Sequence, residues 1–418
     1  MNIGIIGLGD MGSIYARKWS QKGYSVFGCD LPERFELLQH AFQGTSVTIL
    51  ESAKAVARKS DFLMYSVEAA KIAEVVALTA DSVKYGAVIA GQTSVKDPEI
   101  EAFEKYLPAD VHIFTCHSLH GPAFSTEGQK LVIVPHRIDK ESYLRTLPVF
   151  EALESEIIEV DNYHLHDQIM ADTQAVTHMG FESMGTAWKN AGFYPWDHGA
   201  YSTGIDNVKI LTTLRIFSYK AHVYAGLAIL NPFARKQVRQ YARSESELFK
   251  MMICEDESAF RKRLQEAKEF VFHGERDFIT LDQEVMGDFK METNAQHHHP
   301  NSHLSLLAMV DAWHKLKINP YENLICQTPP FRLRLGIAEY LFKNEDLLEE
   351  TIQTALYDKG IRADDLEFHS AVREWASIIE YGDMEGYLSH FNQVKDFFAD
   401  RLQEGARQSA KLIEKLTQ

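Results

Sequence analysis

Several residues of this 418-residue chain have the types and spacing for chemistry. Gly7, Gly9 and Gly12 stand in G-x-G-x-x-G order directly after a short apolar run, 2–6. In a strand-to-helix turn such glycines allow a tight bend, close backbone approach to a pyrophosphate, and close packing of helix on strand. The helix that follows offers free N–H groups and partial positive charge to phosphates. Asp30 ends the next strand-like run, about where a carboxylate holds a ribose 2′-hydroxyl. Leu8, Asp10 and Met11 within the turn, and Ser66 at the end of a later run, complete the expected cofactor site.

Two more runs end in polar clusters. GAVIAGQTSVK delivers Gln92, Thr93, Ser94 and Lys96, and VHIFTCHSLHGP delivers His117, Ser118 and His120. A histidine there accepts a proton near neutral pH, and a serine orients a hydroxyl. The competing reading of His117 is a partly buried histidine satisfied by its neighbours. Arg215 lies in an otherwise apolar segment, LTTLRIFSYKAHVYAGLAIL. A buried arginine needs a partner, and a substrate carboxylate or an internal ion pair both serve. His178, within ADTQAVTHMGF, reads as a core histidine or as a ligand.

The elements that must hold these residues alternate strand and helix to about residue 160. Strands are predicted at 2–6, 25–30, 47–50, 61–66, 86–91, 111–116 and 131–134, with helices such as 13–21, 69–78 and 97–106 between them. The class is α/β: a Rossmann-type doubly wound, mainly parallel sheet with its chemistry at the carboxyl ends of the strands. Amphipathic stretches at 164–189, 207–229, 234–252 and 257–271 then predict an all-α domain. The expected domains are 1–160, dinucleotide-binding; 161–275, helical; 276–300, a polar linker; and 301–418, helical again. His297–His299 in the linker reads as a solvated loop, and no metal site is expected.

The last domain repeats features of the second. His178, Met184, Ala187, Trp188 and Pro195 recur as His303, Met309, Ala312, Trp313 and Pro320, each 125 residues on. Phe249, Phe260, Leu264, Lys268 and Phe270 recur as Trp375, Tyr387, Phe391, Lys395 and Phe397, at offsets of 126 to 127. Leu214–Arg215–Ile216 finds a looser counterpart in Phe331–Arg332–Leu333. The expectation is a diverged internal duplication.

Composition narrows the function classes. A formal net charge of −16 disfavours nucleic acid and anionic membrane as partners, so an anionic substrate requires a local cationic pocket. No apolar run approaches the roughly 20 residues that span a bilayer. A first strand at residue 2 leaves no room for a leader, and the four cysteines lack CxxC spacing. The expected compartment is the cytoplasm.

GLGDMG (7–12), YSVEA (65–69), GQTSVKDPEIEAFEKYLP (91–108), HSLHGP (117–122), ADTQAVTHMGF (171–181), LRIFSYKAHVYAGLAI (214–229) and NSHLSLLAMVDAW (301–313) together resemble prephenate dehydrogenases of the fungal type. The resemblance implies oxidative decarboxylation of prephenate to 4-hydroxyphenylpyruvate in tyrosine biosynthesis, with hydride passing to a nicotinamide. It implies that His117 takes the proton of the ring hydroxyl and that Ser94 helps to hold that hydroxyl and the histidine. Arg215 is implied as a partner of a substrate carboxylate, with His178 lining the pocket and Lys96 as a further substrate contact. The family association favours NADP, whereas Asp30 alone favours NAD; NADP is the expectation, with Arg34 as the cation placed for its 2′-phosphate. The alternatives are an arogenate dehydrogenase and a β-hydroxyacid dehydrogenase; a nucleotide-sensing scaffold is the non-enzyme reading. Assembly is expected as a homodimer or as a pseudo-dimeric monomer in which the C-terminal copy is structural and His303 is not catalytic.

Overall fold

A computed structural model describes residues 1–122, 124–196, 204–273, 281, 286, 300–322 and 328–417. The His297–His299 run lies outside the described residues. The chain divides into two compact units, Met1–Met170 with Leu230–Pro232, and Ala171–Ile229 with Phe233–Gln418.

The first unit is built on eight strands: β1 (Asn2–Ile6), β2 (Ser25–Cys29), β3 (Val47–Ile49), β4 (Phe62–Tyr65), β5 (Val88–Gly91), β6 (His112–Ser118), β7 (Lys130–Arg137) and β8 (Glu156–Glu159). Their order in the sheet is β3-β2-β1-β4-β5-β6-β7-β8. Neighbours run parallel except β6 and β7, which are antiparallel. The strands alternate their side chains between two apolar layers, so the sheet is buried on both faces. Phe62 and Met64 of β4 join Trp19 and Phe150 on one face, while Leu63 and Tyr65 join Val76 and Phe103 on the other. On the first face, edge-on rings run from Tyr15 through Trp19 and Phe62 to Phe150 and Phe114, and the Trp19 indole N–H donates to Val149 O at 2.7 Å.

The alternating sheet is the one expected, with one addition. β8, EIIE, has no fully buried residue and carries a glutamate at each end, so it lacks the apolar signal of an interior strand. Helices α1 (Asp10–Gln21), α2 (Asp97–Tyr106) and α3 (Tyr163–Met170) position the site described below.

The second unit is helical: α4 (Val176–Ala191), α5 (Ile205–Ser218), α6 (Ala234–Ile253), α7 (Glu257–Val271), α8 (Leu304–Leu316), α9 (Pro329–Lys343), α10 (Glu345–Tyr357), α11 (Arg362–Tyr381), α12 (Met384–Phe397) and α13 (Ala399–Thr417). Two predicted helices are interrupted. The stretch 164–189 divides into α3, a π-helical turn Ala171–Ala175, and α4. The stretch 207–229 breaks after Ser218, resumes as Ala221–Ala225, and opens into a second π turn, Gly226–Leu230. A π turn inserts a residue without ending the helix, so apolar periodicity alone runs straight across it. α4 is buried without interruption from Val176 to Trp188, the mark of a helix enclosed on all sides. It packs along α11, and α6 packs along α8.

Candidate active site

The glycine turn of the first unit has the shape that its spacing predicts. Gly7 adopts φ +98°, and a Cβ there would lie 2.2 Å from Ser66 O. A Cβ on Gly12 would lie 2.1 Å from Gly7 O, so close packing of helix on strand excludes any side chain. A Cβ on Gly9 would meet nothing within 4 Å, and α1 begins there without a side-chain cap. The turn thus leaves space where a pyrophosphate approaches an uncapped helix N-terminus, and a dinucleotide fits it.

Around the turn, Leu8 packs in the core and its N–H donates to Asp30 Oδ2 at 2.7 Å. Met11 packs against the core and Asp10 opens α1 at the surface. Ser66 Oγ accepts a hydrogen bond from the Gln92 amide. Asp30 also accepts from Leu31 N at 2.8 Å and from Arg34 Nη1 at 2.6 Å. The carboxylate that would repel a 2′-phosphate is therefore already paired with a cation.

At the end of β6, His117 is 7 % exposed, and its Nδ1 lies 3.0 Å from Nε2 of His166 on α3. Nδ1 of His166 lies 2.7 Å from Asp167 Oδ1. The Asp167 carboxylate also accepts the backbone N–H of Lys96 and of Asp97, both at 2.8 Å, which fixes it at the start of α2. With Asp167 ionised and both imidazoles neutral, the direction of the chain is set. His166 Nδ1–H donates to Asp167, His117 Nδ1–H donates to His166 Nε2, and the lone pair of His117 lies on Nε2. Burial first, then the neighbouring His166 and Lys96, hold the His117 pKa well below the usual histidine range. Burial and Lys96 do the same to His166, and burial pushes the Asp167 carboxyl up to about 6.

Lys96 corrects an expectation. Its side chain is fully buried, and its ammonium donates to Glu99 Oε1 at 2.9 Å, Thr115 Oγ1 at 3.1 Å, Gly91 O at 3.3 Å and, more closely, Cys116 O. Every donor is spent inside the unit, so Lys96 braces the ends of β5 and β6 and has none left for a substrate. Gly91 makes room for this pair, since a Cβ there would lie 2.1 Å from Glu99 Oε2. Ser94, half-buried, makes no hydrogen bond to His117 among the described residues; His166 is the partner in place. Ser118 pairs with the Tyr15 hydroxyl, and His120 Nδ1 lies 3.1 Å from Gly121 O.

His166 and Asp167 are the site residues that the sequence reading missed. Their signal is a His-Asp pair sharing the buried face of α3 with Met170, while the adjacent Leu165, an apolar residue, is left exposed.

The second unit carries His178 on α4 and Arg215 on α5, both buried. The Tyr224 ring meets His178 edge-on at 4.7 Å, and Arg215 lies near enough to lower the pKa of the Tyr224 phenol against the effect of burial. The Arg215 guanidinium also lies 5.4 Å from the centre of the Tyr219 ring. His178 and Arg215 are thus gathered around Tyr224, which the sequence reading did not single out. His178 Nδ1 has no hydrogen-bond partner among the described residues, and burial and then Arg334 depress the histidine pKa to about 3.

Among the described residues no cluster of three His, Cys, Asp or Glu is placed to hold a metal, and no helix is long and apolar enough to cross a membrane.

Comparison with known proteins places this geometry in a family. Residues 2–160 match the NAD binding domain of 6-phosphogluconate dehydrogenase, and 175–418 match a 6-phosphogluconate dehydrogenase C-terminal domain. The chain is 46% identical to prephenate dehydrogenase (NADP(+)) of Saccharomyces cerevisiae, over 96% of this chain and 91% of that one. It is 42% identical to the probable prephenate dehydrogenase (NADP(+)) of Schizosaccharomyces pombe, over 99% and 97% of the two chains. The solved prephenate dehydrogenase of Aquifex aeolicus shares the fold at a TM-score of 0.50 and 18% identity, over 97% of its own chain but 64% of this one. By its near full-length identity to the two yeast proteins, the chain belongs to the prephenate dehydrogenase family.

Proposed function

We propose that the protein catalyses the oxidative decarboxylation of prephenate to 4-hydroxyphenylpyruvate with NADP as acceptor, as a cytoplasmic step of L-tyrosine biosynthesis. The observation that carries this reading is the carboxylate-backed His117 at a strand end of a dinucleotide-binding unit. The names of the two yeast relatives supply the substrate and the cofactor.

NADP, when bound, accepts the hydride that leaves the ring carbon bearing the hydroxyl. His117 Nε2 takes the hydroxyl proton, and the O–H pair becomes the second bond of a carbonyl. The bond to the ring carboxylate then breaks, carbon dioxide departs, and its bonding pair completes the aromatic ring as the carbonyl oxygen regains a proton. The imidazolium formed on His117 is stabilised through His166 by Asp167, which is why a strongly buried histidine still serves as a base. Ser94 is assigned to the substrate hydroxyl. Arg215 is assigned to a substrate carboxylate, with His178 beside it as a neutral hydrogen-bonding group. Arg34 offers the 2′-phosphate a cation, and its pairing with Asp30 removes the repulsion that favoured NAD.

The deciding experiment follows reduced-cofactor absorbance with prephenate, NADP and NAD in parallel, on the wild type and His117→Asn. Turnover with NADP that collapses in the variant while cofactor binding survives is the expected result. Absence of turnover with either cofactor overturns the assignment and makes arogenate the next substrate to assay.

The helical unit is further proposed to be an internal duplication. α4, α5, α6 and α7 recur in order as α8, α9, α11 and α12. Gly192 and Lys317, 125 apart, are both left-handed residues ending the first helix of each set. Asp256 and Asp383, 127 apart, both cap the last, each after a residue of positive φ. The packing is reciprocal, α4 on α11 and α6 on α8. In this register Arg215 falls opposite Tyr340 and Arg332 opposite Asn207, so the looser match of Arg215 with Arg332 fails. We expect a pseudo-dimeric monomer of 47.6 kDa by light scattering. A concentration-independent mass of twice that value favours the ordinary homodimer.

A further inference from the structure

The second unit holds an open cleft with about 580 Å³ of free space, and its walls include Trp188, Phe193, Lys209, Asp364, Asp365 and Phe368. We propose that this cleft binds a small primary ammonium compound with an apolar tail.

Comparison with the equivalent place in the other half explains why it is open. Arg334 stands 125 residues beyond Lys209, Tyr241 stands 127 before Phe368, and Gly180 stands 125 before Ser305. Arg334 is fully buried, and its guanidinium donates to Val176 O at 2.6 Å, Thr177 O at 3.0 Å and the Tyr241 hydroxyl at 3.1 Å. Gly180 admits it, because a Cβ there would lie 2.1 Å from Arg334 Nη1. The counterparts of Val176 and Thr177 are Asn301 and Ser302, and both line the cleft. On that side no guanidinium arrives. Lys209 reaches His303 Nδ1 at 2.6 Å and Asp206 Oδ1 at 3.4 Å, Ser305 carries a side chain where the other half has glycine, and Phe368 lacks the hydroxyl. One half fills the place with its own buried cation; the other leaves the matching place open. These positions carry the comparison whatever the origin of the two halves.

The walls specify what would fill it. Asp206, Asp364, Asp365 and Glu367 outnumber the one cation, Lys209. Asp365 is 5 % exposed; its Oδ1 accepts from Ser302 Oγ at 2.6 Å, while Oδ2 has no partner among the described residues. Burial pushes this carboxyl up to about 7, the response of an acid whose desolvation is not compensated by the cation nearby. An ammonium group supplies the missing charge and donors. Trp188, Phe193 and Phe368 supply apolar surface for the tail, and an aromatic face also favours a cation. An α-amino acid has the same ammonium and adds a carboxylate that Lys209 can receive.

Titration calorimetry on the full chain tests this with isoamylamine, L-leucine and 4-methylpentanoate as probes. Isoamylamine and L-leucine are expected to bind and 4-methylpentanoate is not. Asp365→Asn, which keeps an acceptor for Ser302, is expected to weaken binding by about tenfold or more. The combined Lys209→Arg, Ser305→Gly, Phe368→Tyr rebuilds the plug of the other half and is expected to abolish it, with circular dichroism confirming the fold. Tighter binding of L-leucine narrows the ligand to an amino acid, and tighter binding of isoamylamine narrows it to a simple amine. The proposal is overturned if neither ammonium probe binds at about 10 mM, if 4-methylpentanoate binds as well as isoamylamine, or if both variants bind as the wild type does.

Discussion

His117 and His178 are both buried and both neutral, yet they are held differently. His117 ends a strand and is wired through His166 to a carboxylate anchored on two backbone N–H groups. His178 lies within a helix, meets Tyr224 edge-on and leaves Nδ1 without a partner among the described residues, with the nearby Arg334 opposing protonation. Burial alone disfavours an imidazolium at either place. Only the first has a carboxylate behind it to stabilise one, so only the first is equipped to take a proton. Depressed basicity marks both residues; the connected carboxylate distinguishes a base from a hydrogen-bonding wall.

The largest expected effect comes from breaking the wired histidine itself. His117→Asn should lower kcat by about 10² to 10⁴-fold, with cofactor affinity retained in fluorescence titration. The next concerns the brace beneath it. Lys96→Met leaves Glu99 buried without its cation and should cost about 3–5 kcal/mol of stability in denaturant melts; a smaller loss would show that the pair does not hold the strand ends.

Asp167→Asn sharpens the comparison more finely. It removes the charge that favours an imidazolium on His117, so the acid limb of the kcat/KM profile should move to lower pH. kcat should fall by about ten- to a hundredfold. An unmoved acid limb would disconnect Asp167 from the base.

The smallest effect is expected at the unwired histidine. His178→Gln should raise KM by less than about tenfold and leave the acid limb in place. Its signature lies in stability. The folded pKa of His178, about 3, is below that of the unfolded residue, about 6.5. The unfolded chain therefore binds the extra proton between those values, and His178 contributes stability above pH 6.5 that is lost as pH falls toward 3. The variant should show a shallower fall of Tm over that window.

Much of this was legible because strand ends and glycine turns are local features. Gly7, Gly9, Gly12 and Asp30 lie within one βαβ unit, and the polar clusters at Ser94 and His117 each belong to a single strand end. The relay was not legible, since its members come from β6, α2 and α3 and meet only when the sheet is wound. Lys96 was misread for the same reason: its carboxylate partner, Glu99, lies three residues on and looked like the solvated face of a helix. The π turns escaped because each keeps the helix running. The edge strand β8 escaped because charge at both ends hides two isoleucines.

The packing of α4 against α11 has a consequence for how the protein is made. α4 is apolar enough to need cover on every side, but about 170 residues separate its end from the start of α11. At translation rates of roughly 5–20 residues per second, that interval lasts on the order of 10–30 s. During it the emerging chain displays a sticky helix whose partner does not yet exist. Synthesis of this fold therefore carries a standing demand for chaperone protection, concentrated on one segment and relieved only near the end of the message.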